Sequence, residues 1–137
     1  MRETEDQCAR TERVQPNRAE EGGIEIMVQT TLKEPFERVD VSKGKDLFDN
    51  TQAVWIDVRE PNEWNQGRIP GATLVPLNTL LMSPRKYLNG DNVVFYCAQG
   101  IRSAVACEVA AAVGLTKIFN LEGGFIDWTA KGFPVEK

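Results

Sequence analysis

The sequence predicts an α/β fold in which a parallel sheet is covered by helices on both faces. Two apolar runs, residues 53–58 (AVWIDV) and 92–96 (NVVFY), have the β-branched and aromatic content of buried parallel strands. The strongest helical segment, residues 103–113 (SAVACEVAAAV), is rich in alanine and is closed by Gly114. Strands that alternate with helices along one chain imply a sheet buried on both sides.

The remaining elements follow in chain order. Residues 36–41 suit a first strand, and Ser42 is placed to cap a short helix reaching Leu47 and Phe48. After residues 53–58, Glu60-Pro61-Asn62-Glu63-Trp64 opens a short helix, with Pro61 in the first turn where a missing N–H costs nothing, and Gly67 ends it. Ile69-Pro70-Gly71-Ala72 is a turn into a short strand at 73–75. Residues 77–88 carry Leu77, Leu80, Leu81, Tyr87 and Leu88 but are broken by Pro84, which predicts two helical pieces. A last strand is expected at 116–119 and a final amphipathic helix at 124–131, stopped by Gly132 and Pro134. No internal repeat or low-complexity stretch is present.

Composition narrows the function. The chain has 137 residues, one domain's worth, with 42% hydrophobic residues and a net charge of −4. An acidic balance argues against a nucleic-acid partner, which calls for a basic face. No apolar run is long enough to cross a bilayer and no signal-peptide pattern opens the chain, so no membrane partner is expected and a cytoplasmic location is. Three cysteines, Cys8, Cys97 and Cys107, form no paired framework and suit a reducing compartment. There is no histidine, which removes Ser-His-Asp and Cys-His mechanisms and the commonest zinc sites; no metal and no cofactor are expected. Residues 1–30 are dense in charge and poor in bulky apolar residues, as in a flexible tail or a leader, with Cys8 incidental and Met27 a possible start; the folded domain is expected over 36–137.

The chemistry concentrates in Cys97-Ala98-Gln99-Gly100-Ile101-Arg102-Ser103, between a buried strand and a helix start. Ligands of open α/β sheets sit at the carboxyl ends of strands, where Cys97 lies. Unpaired N–H groups at a helix entrance can form an anion-binding concavity, and Gly100 allows the dihedrals such a ring demands. A cysteine inside it should have a thiol pKa below about 8.5 and act as a nucleophile toward sulfane sulfur, with no general base required. Arg102 adds positive charge at the rim. The plainer alternative is a small buried hydrophobe at the end of an apolar strand. The catalytic reading requires main-chain amides that face the sulfur and an opening that reaches it.

Three stretches carry a family resemblance. Asp57-Val58-Arg59-Glu60 with Glu63-Trp64 and Gly67-Arg68-Ile69-Pro70-Gly71-Ala72 resembles the N-terminal signature of rhodanese domains. Cys97 to Ser103 is similar to their active-site loop C-x-x-G-x-R-S, and Leu121-Glu122-Gly123-Gly124-Phe125-Ile126-Asp127-Trp128 resembles their closing motif. The resemblance spans residues 36–137 and implies a rhodanese-like three-layer fold with a five-stranded parallel sheet. It implies a sulfurtransferase in which Cys97 carries a persulfide, loop residues Ala98, Gln99, Gly100, Ile101, Arg102 and Ser103 bind it, and Asp57 and Arg59 organise the pocket, with Glu60 structural. The expected partners are small sulfur anions (thiosulfate, polysulfide) and thiol, cyanide or protein sulfur acceptors. The sequence departs from the family at Arg68, where histidine is common.

Alternative readings stand beside this one. Asp57 and Arg59 also suit a structural ion pair holding a turn. Cys107 could resolve a persulfide as a disulfide, but a small buried residue is what its helix needs. Trp55, Trp64 and Trp128 suit core and pocket walls, and Gly123-Gly124 suits a turn better than a phosphate loop. Cysteine-dependent phosphatases and arsenate reductases also use a cysteine and an arginine on an N–H-lined loop, in the pattern C-x5-R. Here four residues, Ala98 to Ile101, separate Cys97 from Arg102, a smaller ring that suits sulfur. A non-catalytic module that keeps the fold for partner contacts is the other alternative.

Overall fold

The computed structural model describes residues 34–137, so the expectations placed on residues 1–30, including Cys8 and Met27, lie outside the described residues. Over that range the chain forms β1 (Glu37–Val39), α1 (Val41–Asn50), β2 (Val54–Asp57), α2 (Pro61–Gln66), β3 (Thr73–Leu74) and α3 (Leu77–Met82). It continues through α4 (Pro84–Tyr87), β4 (Val93–Tyr96), α5 (Ile101–Ala112), β5 (Ile118–Leu121) and α6 (Gly124–Ala130). The strands make one five-stranded sheet in the order β1-β5-β4-β2-β3, and every pairing is parallel. The register sets Asp57 opposite Tyr96 and Phe95 opposite Asn120, so the segments after β2, β4 and β5 leave the sheet side by side.

Both faces are covered, and period-two alternation sorts the side chains between them. From β4, Val93, Phe95 and then Cys97 join Ile56, Val58, Leu80, Ala106, Cys107 and Ala110 in the core beneath α3 and α5. Val94 and Tyr96 point the other way, into a core with Val39, Leu47, Trp55, Leu121 and Trp128 beneath α1 and α6. Edge-to-face contacts link Phe48, Trp55, Trp128 and Phe133 there. Trp64 is not core: it is half-buried on α2, beneath the guanidinium of Arg68, which lies 4.7 Å from its ring centroid. Arg68 also exchanges backbone hydrogen bonds of 2.9 Å with Glu136, so the residue that departs from the family pattern fastens the C-terminal segment.

Of the boundaries that differ from the sequence expectation, three have a visible reason. The cap of α1 is Asp40, whose carboxylate accepts the Lys43 N–H at 2.8 Å, leaving Ser42 inside the first turn. Helix α5 begins at Ile101, two residues early, because Gly100 takes φ +99° and turns the chain directly into the helix. Strand β5 begins at Ile118 and not at 116, because Asp91 draws in both main-chain donors there, Thr116 N–H at 2.7 Å and Lys117 N–H at 3.0 Å. Pro84 separates α3 from α4 as expected.

The cap assignment is open to measurement. Asp40→Ala should cost about 1 kcal/mol, lowering the melting temperature by about 4–8 °C, whereas Ser42→Ala should stay within about 0.5 kcal/mol. Thermal denaturation followed by circular dichroism distinguishes the two; the reverse order would return the cap to Ser42.

Candidate active site

The end of β4 delivers Cys97 to the α5 side of the sheet. Beyond Tyr96 the chain makes a tight loop and enters α5 through Gly100. The Gly100 N–H donates to Cys97 Sγ at 3.1 Å, and the Ser103 hydroxyl lies 3.5 Å from the same sulfur. Burial pushes the thiol pKa up, but the Ser103 hydroxyl and the main-chain N–H groups of Ser103, Gln99 and Gly100 outweigh it, and the net shift is downward. The amides therefore face the sulfur. The expected opening is another matter: Cys97 is 1% exposed and lies beneath its own loop, while Gln99 and Ile101 stand outside.

The loop is anchored by the turn after β5. Phe125 N–H donates to the Cys97 carbonyl at 2.8 Å and Ile126 N–H to the Ala98 carbonyl at 3.1 Å. In a trans peptide the C=O and the following N–H point opposite ways, so fixing the Ala98 carbonyl outward aims the Gln99 N–H inward. Asn120, fully buried on β5, donates from Nδ2 to the Gly100 carbonyl at 3.1 Å and also to Glu122. The approach is so close that a Cβ on Gly124 would lie 2.5 Å from the Cys97 carbonyl oxygen, and Gly124 takes φ +57°. Gly123-Gly124 is thus a docking turn, with the amides that follow committed to protein carbonyls.

Arg102 turns from the loop toward α2. Its Nη1 and Nη2 donate to Oε1 and Oε2 of Glu63 at 2.8 and 3.0 Å, a bidentate pair. Glu63 Oε1 also accepts the Glu60 N–H at 3.0 Å, joining the entrance of α2 to the Cys97 loop. The Arg102 hydrogen bonds come first among the causes that bring the Glu63 carboxyl down to about 2. Arg102 in turn is raised above its ordinary value, first by Glu63 and also by the nearby Cys97.

Asp57 and Arg59 are both buried and paired with each other, the closest contact being Nη2 to Oδ2 at 2.7 Å. Arg59 Nη2 also donates to the Gly67 carbonyl at 2.7 Å, and the guanidinium lies 4.4 Å from the Phe125 ring centroid. Burial, followed by the charge of Asp57, holds the Tyr96 phenol well above its ordinary value, and its oxygen accepts the Ile69 N–H at 3.0 Å. This network lies on the α6 face of the sheet, opposite Cys97, and meets the turn that holds the loop through Phe125. Cys107 is buried on α5, with Sγ 3.5 Å from the Phe119 carbonyl oxygen. Sequence reasoning missed Asn120, which carried no signal, and the partnership of Glu63 with Arg102. For Glu63 a signal existed: an acid three residues into a helix that starts after Glu60.

A family model described as Rhodanese-like domain matches residues 40–131. A sulfurtransferase of Allochromatium vinosum is 33% identical over 94 residues, covering 69% of this chain and 88% of that protein. The crystal structure of a rhodanese-related protein from Thermoplasma volcanium superposes with a TM-score of 0.62 at 30% identity, covering 73% of this chain and 97% of the other. A Rhodopseudomonas palustris protein of unknown function, described as a possible tyrosine phosphatase, superposes with a TM-score of 0.66 at 27% identity over 90% of this chain and 100% of its own.

Two substitutions probe the sulfur cradle. Ser103→Ala should move the Cys97 titration upward, read from thiolate ultraviolet absorbance as the difference between the native chain and its Cys97→Ser counterpart. Because the folded thiol titrates below the unfolded one, its ionisation adds stability at alkaline pH that is lost as pH falls through the folded value; Ser103→Ala should shrink that gain. Gly124→Ala should cost at least about 2 kcal/mol in urea denaturation, since backbone must move to admit the methyl group. A neutral Gly124→Ala would mean that the docking turn does not hold the loop.

Proposed function

The chain belongs to the rhodanese-like domain family, and from that premise we propose that it is a sulfurtransferase whose sulfur carrier is Cys97. The observation that carries this reading is the meeting of the Gly100 N–H and the Ser103 hydroxyl on one sulfur atom, with the main-chain N–H groups of Gln99 and Ser103 also favouring its thiolate. A thiolate held there attacks the outer sulfur of a donor. One S–S bond forms to Cys97, the donor's own bond to that sulfur breaks, and the electron pair leaves with sulfite, a thiolate or a shortened polysulfide. An acceptor thiolate or cyanide then attacks the outer sulfur of Cys97–S–S⁻ and the Cys97 thiolate departs. No proton has to be abstracted in either half, which fits a chain without histidine.

Residues 98–103 take the roles their positions allow. Gln99, Gly100 and Ser103 supply donors to the sulfur, Ala98 and Gly100 are anchored through their carbonyls, Ile101 opens the helix and Arg102 supplies the loop's charge. Asp57 and Arg59 organise the pocket at one remove, by bracing Phe125, whose N–H holds the Cys97 carbonyl. A residue 1% exposed reacts only through a local opening, so a loop or rim side chain must shift enough to admit one sulfur atom.

A second reading, suggested by the description of the Rhodopseudomonas palustris protein, is phosphate ester hydrolysis. The geometry favours sulfur: four residues separate Cys97 from Arg102, and both terminal nitrogens of Arg102 are already held by Glu63.

Intact mass spectrometry of the protein incubated with a sulfane donor should show a gain of one sulfur atom on Cys97, removed by cyanide. Cys97→Ser should abolish transfer and Cys107→Ala should retain it. Sulfur mapped to Cys107, or hydrolysis of an aryl phosphate in place of transfer, would overturn the assignment.

A further inference from the structure

We propose that Glu63 determines donor specificity, steering the Cys97 loop toward persulfide donors that carry little charge at the reacting sulfur and away from compact dianions such as thiosulfate. The inference rests on the sulfurtransferase reading and refines its donor. Arg102 is the only charged side chain between Ala98 and Ser103. Its two terminal nitrogens form the fork that would grip an oxyanion, and each donates to Glu63, at 2.8 and 3.0 Å, while the same guanidinium neighbours Cys97. The Glu60 N–H orients the carboxylate from its own side, so the pairing is built into the start of α2. With side chains 36% and 30% exposed, Arg102 and Glu63 lie within reach of an arriving donor.

Among the described residues beside the loop, none supplies a substitute cation. Arg59 is buried and committed to Asp57 and the Gly67 carbonyl. Ile101 is 71% exposed, Ile126, whose N–H holds the Ala98 carbonyl, is 50% exposed, and Gln99 is neutral. A donor therefore meets a loop flanked by two exposed isoleucines, an arginine paired with a carboxylate, and a sulfur whose surroundings favour the thiolate.

For thiosulfate the step is Cys97–S⁻ plus S–SO3²⁻ giving Cys97–S–S⁻ plus SO3²⁻, a dianion approaching an anion with no net offset from the neighbouring pair. For a protonated persulfide it is Cys97–S⁻ plus R–S–S–H giving Cys97–S–S–H plus R–S⁻, with no repulsion between reactants to overcome. Removing the Glu63 charge places one unit of positive charge at the rim. On a dianion about 6 Å away in a water-like medium, that is worth about tenfold in rate, and on a neutral sulfur close to nothing.

The test compares initial rates of Cys97 persulfide formation, read by intact mass, with thiosulfate and with glutathione persulfide as donors. Glu63→Gln keeps the size of the side chain and a carbonyl oxygen for the Glu60 N–H. It should raise the thiosulfate rate about tenfold relative to the persulfide rate. In the unmodified protein, thiosulfate loading should hold steady or rise as salt is added, which decides the matter even if the variant fails to fold. An unchanged donor ratio in Glu63→Gln, or thiosulfate loading that falls with salt, would overturn the inference alone. Absence of sulfur on Cys97 from either donor would overturn the sulfurtransferase reading beneath it.

Discussion

The candidate site depends on where three carbonyl groups point. Cys97, Ala98 and Gly100 each need a donor for a C=O turned away from the sulfur. The donors come from one short stretch, Asn120 to Ile126, at the end of the neighbouring strand. Because the Ala98–Gln99 peptide is planar and trans, the outward Ala98 carbonyl and the inward Gln99 N–H are a single structural fact, while the Cys97 and Gly100 carbonyls anchor the loop on either side of it. The parallel pairing of β4 with β5 brings the two segments to the same end of the sheet, and two consecutive left-handed glycines let the second approach the first to backbone contact. An anion cradle at a strand end is here the product of a neighbouring turn as much as of the loop itself.

The same arrangement carries polar groups into places where they must be satisfied. Asp57 and Arg59 cancel each other's charge in the core, and removing either partner alone would strand the other at about 3–5 kcal/mol. Arg59 recovers further attraction from the Phe125 ring, which ties the ion pair to the turn that holds Cys97. Asn120 is less complete: its amide nitrogen is used twice, while its Oδ1 is buried with no hydrogen-bond partner among the described residues. The unmet acceptor is the cost of placing a donor under Gly100, in a position where an apolar side chain would release the loop.

What was legible in the sequence was what lies close together along it. The buried strands, the break at Pro84, the stop at Gly67 and the alanine-rich helix each follow from a few consecutive residues. The cradle was legible too, since Cys97, Gln99, Gly100 and Ser103 fall within seven positions. The misses have the opposite character. The partner of Arg102 is 39 residues away and that of the Gly100 carbonyl is 20 away, distances over which no local pattern speaks. Asp40 over Ser42 as the cap, and Asp91 delaying β5, turned on which of several competing side chains captured a backbone donor. The depth of the site was not legible because a strand end and a helix entrance say where a sulfur sits and not how deeply.

A buried sulfur ringed by amides has a consequence for the two halves of the sulfur transfer proposed for Cys97. Lowering the thiol pKa enlarges the thiolate fraction but weakens each thiolate as a nucleophile, with a sensitivity of about 0.4–0.5. The first half-reaction therefore gains little once the thiol is mostly ionised. In the second half Cys97 is the leaving group, and a low pKa speeds its departure directly. On that proposal the donors from Ser103, Gln99 and Gly100 act most strongly on delivery to the acceptor. Such a ring suits a chain whose slow step is giving sulfur up, and the Glu63–Arg102 pair, which adds no net charge beside it, leaves that balance to the amides.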